Sequence, residues 1–352
     1  MSSPGVPIPA APPSEAAKRV ELILSRVKAI PTLSPIATRL LSLGRSRDAD
    51  MKEVILLIET DPALSTRLVG MCRRADKGLG DRITTVKRAV LMLGFEAVRS
   101  AALSVAIYEH MRRDDDPSRR ELDAELAGAQ QAGALAFDRT GYWKHLVAVG
   151  CAAEVIAEAH PKYRVQGAEA FLAGLLHGLG KVVLEHILPR AYDSVVRLAC
   201  RRCSASAAIE TQILGVDHHA AGERMAAHWE LPEAVAHVAL LCGVAPRAMP
   251  EDSNGRLAAI VSVAAAVCRQ LHLGWSGDFD APPDAARIWR LLGLDSRGPA
   301  SMYERLLTSV AERYGILGLA ESTPQQILLE CLGRANQRVV EAVSVRGAPL
   351  NP

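Results

Sequence analysis

An all-α fold is what this 352-residue chain predicts, and three observations carry the prediction. Aromatic residues make up only 4% while Ala, Leu and Val dominate, a balance that favours close-packed helices over sheets. Apolar residues recur at helical spacing from end to end. No run of four or more strictly alternating residues is flanked by hairpin turns. With 49% apolar residues the chain can bury an ample core, as one large domain or two smaller ones.

The elements can be justified in order. Met1 to Ser14 is Pro/Ala-rich and is expected to be a disordered tail. Glu15 to Val27 places Val20, Ile23, Leu24 and Val27 at helical spacing before Pro31 breaks the chain, giving an N-terminal helical segment over 15–29. Short helices follow at Pro35 to Leu43 and Met51 to Glu59, separated by the polar turn Gly44 to Asp50. Asp61 is placed as an N-cap with Pro62 at the first helical position, and Thr84-Thr85 caps a helix that Gly94 closes. Phe95 to about Met111 is longer, and the charged break Arg112 to Pro117 marks the boundary between a lobe at 30–116 and one at 117–295. Further helices are predicted over about 118–139, 143–159, 166–177, 181–187, 190–203, 205–214, 218–230, 232–242, 255–272, 283–293, 299–314 and 323–345. The last two form a C-terminal helical extension, 296–352, and Pro246 to Asn254 and Trp275 to Pro283 read as loops.

Composition excludes several functions. Net charge is +2, from 41 basic and 39 acidic residues, which gives no general attraction to nucleic acid or anionic membranes. There is no uncharged apolar run of about 18 residues and no N-terminal signal pattern. Seven cysteines, an odd number, point to reduced thiols in a cytoplasm. Cys200-Arg-Arg-Cys203 has no second pair to complete a zinc site. Gly174 to Lys181 fails as a phosphate-binding loop, since five residues separate Gly174 from Gly180 and Val182 stands where Ser/Thr would hold magnesium. A helix-turn-helix over Asp61 to Leu93 would offer only Lys87 and Arg88 to a DNA groove, so no DNA binding is expected.

The most informative segment is Phe171-Leu-Ala-Gly-Leu-Leu-His177-Gly178-Leu-Gly-Lys181. An apolar helix that ends in His-Asp-x-Gly-Lys resembles the signature of HD phosphohydrolases, whose imidazole and aspartate hold metals that activate water. Here Gly178 stands in place of the aspartate. Five blocks in order extend the resemblance: Pro31 to Pro35, Ile58 to Leu64, Arg82 to Gly94, Phe171 to Leu184, and Leu214 to His218 with Trp229 to Glu233. Together they resemble the HDOD family, bacterial signalling-output domains related to HD phosphohydrolases. The resemblance implies a two-lobed helical fold, with a smaller N-terminal lobe and a larger HD-like lobe.

Position by position, His145 matches the early histidine of HD enzymes, His177 that of the HD pair, and His218 the next. Lys181 matches a lysine that often touches phosphate in active relatives; here Glu185, four residues on, is its expected surface partner. The later His-His pair is replaced by Leu240-Leu241-Cys242, and the final aspartate is missing from the stretch Val261 to Val267. Two divalent ions need anionic oxygens to offset about four positive charges, and three neutral imidazoles supply none. The histidines read as buried and hydrogen-bonded among small neighbours, or as ligands of a single ion. His218 and His219 lie about 100° apart on a helix and are not expected to face one ion.

The expectation is a cytoplasmic, non-enzymatic signalling module without cofactor, acting through signalling-protein partners. Its apolar stripe at Ile327, Leu328, Cys331, Leu332, Val339, Val340 and Val343 offers a route to packing on the body or to homo-oligomers through the C-terminal helix. The alternatives are a metal-dependent phosphodiesterase acting on a cyclic dinucleotide and a non-catalytic nucleotide sensor.

Overall fold

The computed structural model describes residues 15–43, 51–75, 84–112, 136–241, 252–294, 297–317, 319 and 323–347. The predicted tail 1–14, the turns at 44–50 and 77–81, the break at 113–117, the predicted helix over 118–135 and most of the loop 246–254 lie outside these residues. Every described element is helical, and the fold is all-α.

α1 (Glu15–Ser25) and a 3-10 turn (Arg26–Ala29) precede the N-terminal lobe, which contains α2 (Pro35–Leu43), α3 (Met51–Glu59), α4 (Pro62–Ala75), α5 (Val86–Leu93) and α6 (Phe95–Arg112). The caps form as their chemistry dictates: Asp61 Oδ1 accepts from Ala63 N at 2.9 Å and Leu64 N at 3.0 Å, and Thr85 accepts from Arg88 N. Leu40, Val54, Ile58, Leu68 and Leu103 close the core of this lobe.

The larger lobe is built on α7 (Arg139–Ala159), buried almost continuously from Gly141 to Ala157. It starts four residues before its predicted position because Asp138 accepts from Gly141 N at 2.8 Å and caps it; 136–138 are not helical. Around it stand α8 (Gly167–Leu176), α9 (Leu179–Ile187), α10 (Pro189–Arg202), α11 (Ser206–Leu214), α12 (His218–His228), α13 (Glu233–Leu241), α14 (Ser253–Gln270) and α15 (Ala285–Leu291). A 3-10 turn (Pro299–Met302) leads to α16 (Tyr303–Leu317), and α17 (Pro324–Gly347) follows.

Glycines set the closest approaches. A Cβ on Gly174 would lie 2.8 Å from the Gly150 Cα, so α8 and α7 cross backbone to backbone. A Cβ on Gly180 would lie 1.7 Å from the His218 carbonyl oxygen, which brings α9 against the start of α12. The lobes are tied by an edge-on Tyr108–Trp143 pair and by Trp229 Nε1 donating to the Pro31 carbonyl, which His110 Nε2 also reaches from within its own lobe. α16 packs on both α7 and α4, and its Tyr314 hydroxyl donates to the Lys144 carbonyl at 2.8 Å. Gly167–Ile187 is apolar and long enough to cross a membrane by composition alone. However, it is broken into α8 and α9 at His177-Gly178, and 78% of its apolar window is buried within the protein.

Candidate functional site

Five elements converge on a cavity of about 310 Å³. α7 contributes Tyr142 and His145, the α8–α9 turn His177 and Gly178, and α9 Lys181. α12 contributes His218 and His219, and α14 contributes Ser262 and Arg269. The loop after α14 adds Ser276 and Asp278, and is pinned by Trp275 N donating to Gly141 O at 2.8 Å and Phe279 N to Ser204 O at 3.2 Å. The three histidines singled out in the sequence therefore do meet.

Each imidazole is oriented through Nδ1. His145 donates to Leu273 O at 3.0 Å, His177 to Gly174 O at 2.6 Å, and His219 to Ala239 O at 3.0 Å. A carbonyl only accepts, so in the neutral ring the proton sits on Nδ1 and Nε2 is left as an acceptor. His218 Nδ1 bonds Glu210 Oε2 at 2.6 Å, and its backbone N–H donates to the same oxygen at 2.7 Å. Burial lowers His145 to about 3 and His177 to about 4, with the neighbouring cations adding to the shift. His219 is lowered by burial and by His218.

His145 is buried, as expected, but His177 and His218 are only partly so and form cavity wall. His218 and His219 both line the cavity, with ring centroids 4.1 Å apart. They stand in the first turn of α12, whose entry is fixed by the Asp217 cap, and each Nδ1 is drawn to its own acceptor.

Lys181 requires a correction. Its side chain is 3% exposed and pairs with Asp278 at 2.9 Å, while its ammonium also donates to Ser276 O at 3.0 Å. The expected partner, Glu185, is buried and pairs with Arg139 instead. The i,i+4 rule applies to exposed helix faces, and this face of α9 is turned inward.

The expectation of a pocket without carboxylates is also corrected. Asp278 arrives from the loop and Glu210 from α11, where it is fully buried behind His218. Burial alone would push the Asp278 carboxyl up, but Lys181 and then Arg269 hold it well below the usual carboxylate range. Burial likewise acts against Glu210, and His218 outweighs it, bringing the group to about 2. Both are committed: Asp278 accepts from Lys181 and Ser206, and Glu210 from His218 and the Tyr192 hydroxyl at 2.6 Å. Among the described residues no three His, Cys, Asp or Glu side chains form a group able to hold a metal ion.

Tyr142 fills the space next to Gly178. Its hydroxyl donates to the Gly178 carbonyl at 2.8 Å, and a Cβ on Gly178 would lie 2.2 Å from that oxygen and 2.9 Å from Leu146 Cδ2. The Lys181 ammonium stands 5.9 Å from the centre of the same ring.

The HDOD domain model matches residues 30–136 and 124–241, more than half of the chain. This chain belongs to the HDOD family. An uncharacterized Treponema pallidum (strain Nichols) protein is 26% identical over 225 residues, 63% of this chain but only 39% of that protein, so the chain spans well under two thirds of this relative. Among solved structures, a Geobacter sulfurreducens HDOD protein of unknown function is similar over 95% of this chain and 99% of its own, at 21% identity and a TM-score of 0.61. A candidate signal-transduction protein from Marinobacter aquaeolei VT8 matches over 86% and 65%, at 18% identity and a TM-score of 0.65. A candidate phosphohydrolase from Shewanella amazonensis SB2B matches over 84% and 97%, at 20% identity and a TM-score of 0.63. At these identities the likeness establishes a shared fold.

Proposed function

We propose that this HDOD protein is a non-enzymatic regulatory module that acts in the cytoplasm through contacts with signalling proteins. The observation that carries the reading is the Gly178–Tyr142 pair. In HD hydrolases the residue after the motif histidine is the metal-binding aspartate. Here it is glycine, and the volume a side chain would need holds the Tyr142 hydroxyl. The carboxylate that reaches the cavity, Asp278, and the one behind its wall, Glu210, are spent on Lys181, Ser206, His218 and Tyr192. Binding a metal would require breaking those pairs inside a buried site, which is costly because each charge would lose its partner.

The test joins metal analysis to turnover. Purified protein loaded with manganese or iron is expected to retain less than one ion per chain and to leave cyclic dinucleotides and nucleotides intact. Gly178→Asp is expected to lower the unfolding free energy by about 1–3 kcal/mol, through overpacking, without creating activity. Two bound ions, or turnover abolished by His177→Ala, would overturn the reading.

The contact face we assign is the outward row Leu328, Leu329 and Leu332 on α17, 49%, 67% and 61% exposed. Self-association through this row is the simplest partner arrangement.

A further inference from the structure

Two polar atoms in the cavity wall lack partners. Ser262 and Arg269 stand seven residues apart on α14, two turns along one face, and both line the cavity. Ser262 Oγ and Arg269 Nε are buried without a hydrogen bond. Buried polar groups are nearly always satisfied, so such a pair is an exception that calls for a reason. The same cavity holds four imidazoles whose Nδ1 atoms are committed to protein acceptors. The Nε2 atoms of His145, His177 and His219, whose Nδ1 protons face carbonyls, supply acceptor capacity, while α14 supplies donors.

Charge narrows what such a site takes. Lys181 is matched by Asp278 and Arg269 by Asp280 at 2.6 Å, and Glu210 adds a further carboxylate behind His218. A phosphate dianion entering here meets no surplus of positive charge and must compete with Asp278 for Lys181. A divalent ion meets no converging ligand set among the described residues. Size narrows it further: about 310 Å³ is at the small end of ligand pockets, which run from roughly 300 to 1,000 Å³, and suits one ring system rather than a dinucleotide. The remaining wall is Ala205, Ala207, Ala265, Ala266 and Pro283, short apolar groups against which a flat ring can lie.

We propose that the cavity binds an uncharged heterocycle of nucleobase or nucleoside size. Its N–H edge donates to imidazole Nε2 atoms, and its carbonyl or ring-nitrogen acceptors take the Ser262 hydroxyl and the Arg269 Nε–H. The site builds on the reading of this cavity as non-catalytic and makes it a ligand input to the regulatory module.

The test uses the full chain and titration calorimetry with adenosine, guanosine, cytidine and uridine, their 5′-monophosphates, inorganic phosphate, and manganese or zinc alone. At least one nucleoside is expected to bind, about tenfold or more tighter than its monophosphate. Ser262→Ala should weaken it by about threefold to tenfold, the loss of one hydrogen bond. Ala265→Met should abolish binding by filling the cavity, with circular dichroism confirming the helical fold; if that variant does not fold, Ser262→Ala decides. Absence of nucleoside binding, tighter binding of phosphate, monophosphate or metal, or affinity unchanged in Ser262→Ala would each sink the proposal. Chromatography of the bound nucleoside separates the two readings: conversion to a product would end the non-enzymatic reading and leave the cavity assignment standing.

Discussion

A buried imidazole that stays neutral makes folding sensitive to acid. His145 is pressed by burial, by His177, and by Arg269 and Lys181, and its folded value falls to about 3. In the unfolded chain it protonates near about 6.5. Between those values the unfolded state holds the extra proton, so stability falls as pH falls through that window. At pH 5 His145 alone accounts for about 2 kcal/mol of lost stability. His177, lowered to about 4, acts in the same direction. Glu210 and Asp278, both depressed, add their losses only below the ordinary carboxylate range. Urea unfolding at pH 7 and pH 5 should therefore differ by at least this amount, and His145→Gln should flatten the difference; a wild-type midpoint that is constant over this range contradicts the account. His177 was legible in the sequence because the helix end and its x-Gly-Lys tail identify it, and His145 and His218 because their positions match the other histidines of the resemblance. Asp278 and Glu210 were not, since one sits in an irregular loop and the other eight residues before His218, and only packing brings them in. A signal for Ser262 and Arg269 did exist: Ser262 interrupts the apolar stretch from Leu257 to Val267, and Arg269 follows it two turns on.

Helix crossings here depend on the absence of side chains at a few places. α9 meets α12 with the Gly180 backbone against the His218 carbonyl, and this contact sets both Lys181 and His218 at the cavity. An alanine at Gly180 must push that backbone away, because its Cβ would sit 1.7 Å from a carbonyl oxygen. Gly333 on α17 is the opposite case, with nothing within 4 Å of an added Cβ. Gly180→Ala is expected to destabilise by about 1–3 kcal/mol or more, through overpacking. Gly333→Ala is expected to stabilise by about 0.5–1 kcal/mol, through helix propensity and unfolded-state entropy. Thermal unfolding of the two variants checks the contrast, and equal midpoints would refute the close crossing. Most helices were readable because apolar spacing of 3.6 is a local property. Their ends moved where a cap decided, as at Asp138, and the direction of Lys181 was missed because periodicity does not say which face of a mostly apolar helix turns inward.

At the scale of the whole molecule, α17 joins the surface to the interior. Ile327 and Cys331 of the stripe read from the sequence are buried on the body, while its Leu328 and Leu332, with Leu329 beside them, are exposed. Glu330 pairs with Lys144 at 2.9 Å and Arg334 reaches Asp138 at 3.5 Å, which places α17 against the first turns of α7. Arg334 and Gln337 also line a second cavity of about 120 Å³ that shares His145, Arg269, Ser276 and Asp278 with the larger one. Release of α17 would thus open the smaller cavity, expose the residues it shares with the histidine cavity and loosen the segment that carries Tyr142 and His145. Ile327→Asp puts a carboxylate where the side chain is 1% exposed and should detach the helix without touching the cavity directly. Hydrogen exchange read by mass spectrometry is expected to rise in α17, in residues 136–145 and in the loop 273–279, while α2 to α6 keep their protection. A rise confined to α17 would show that the helix is a passive extension; a rise that reaches the loop and the start of α7 would establish that the outer face and the cavity are one coupled unit.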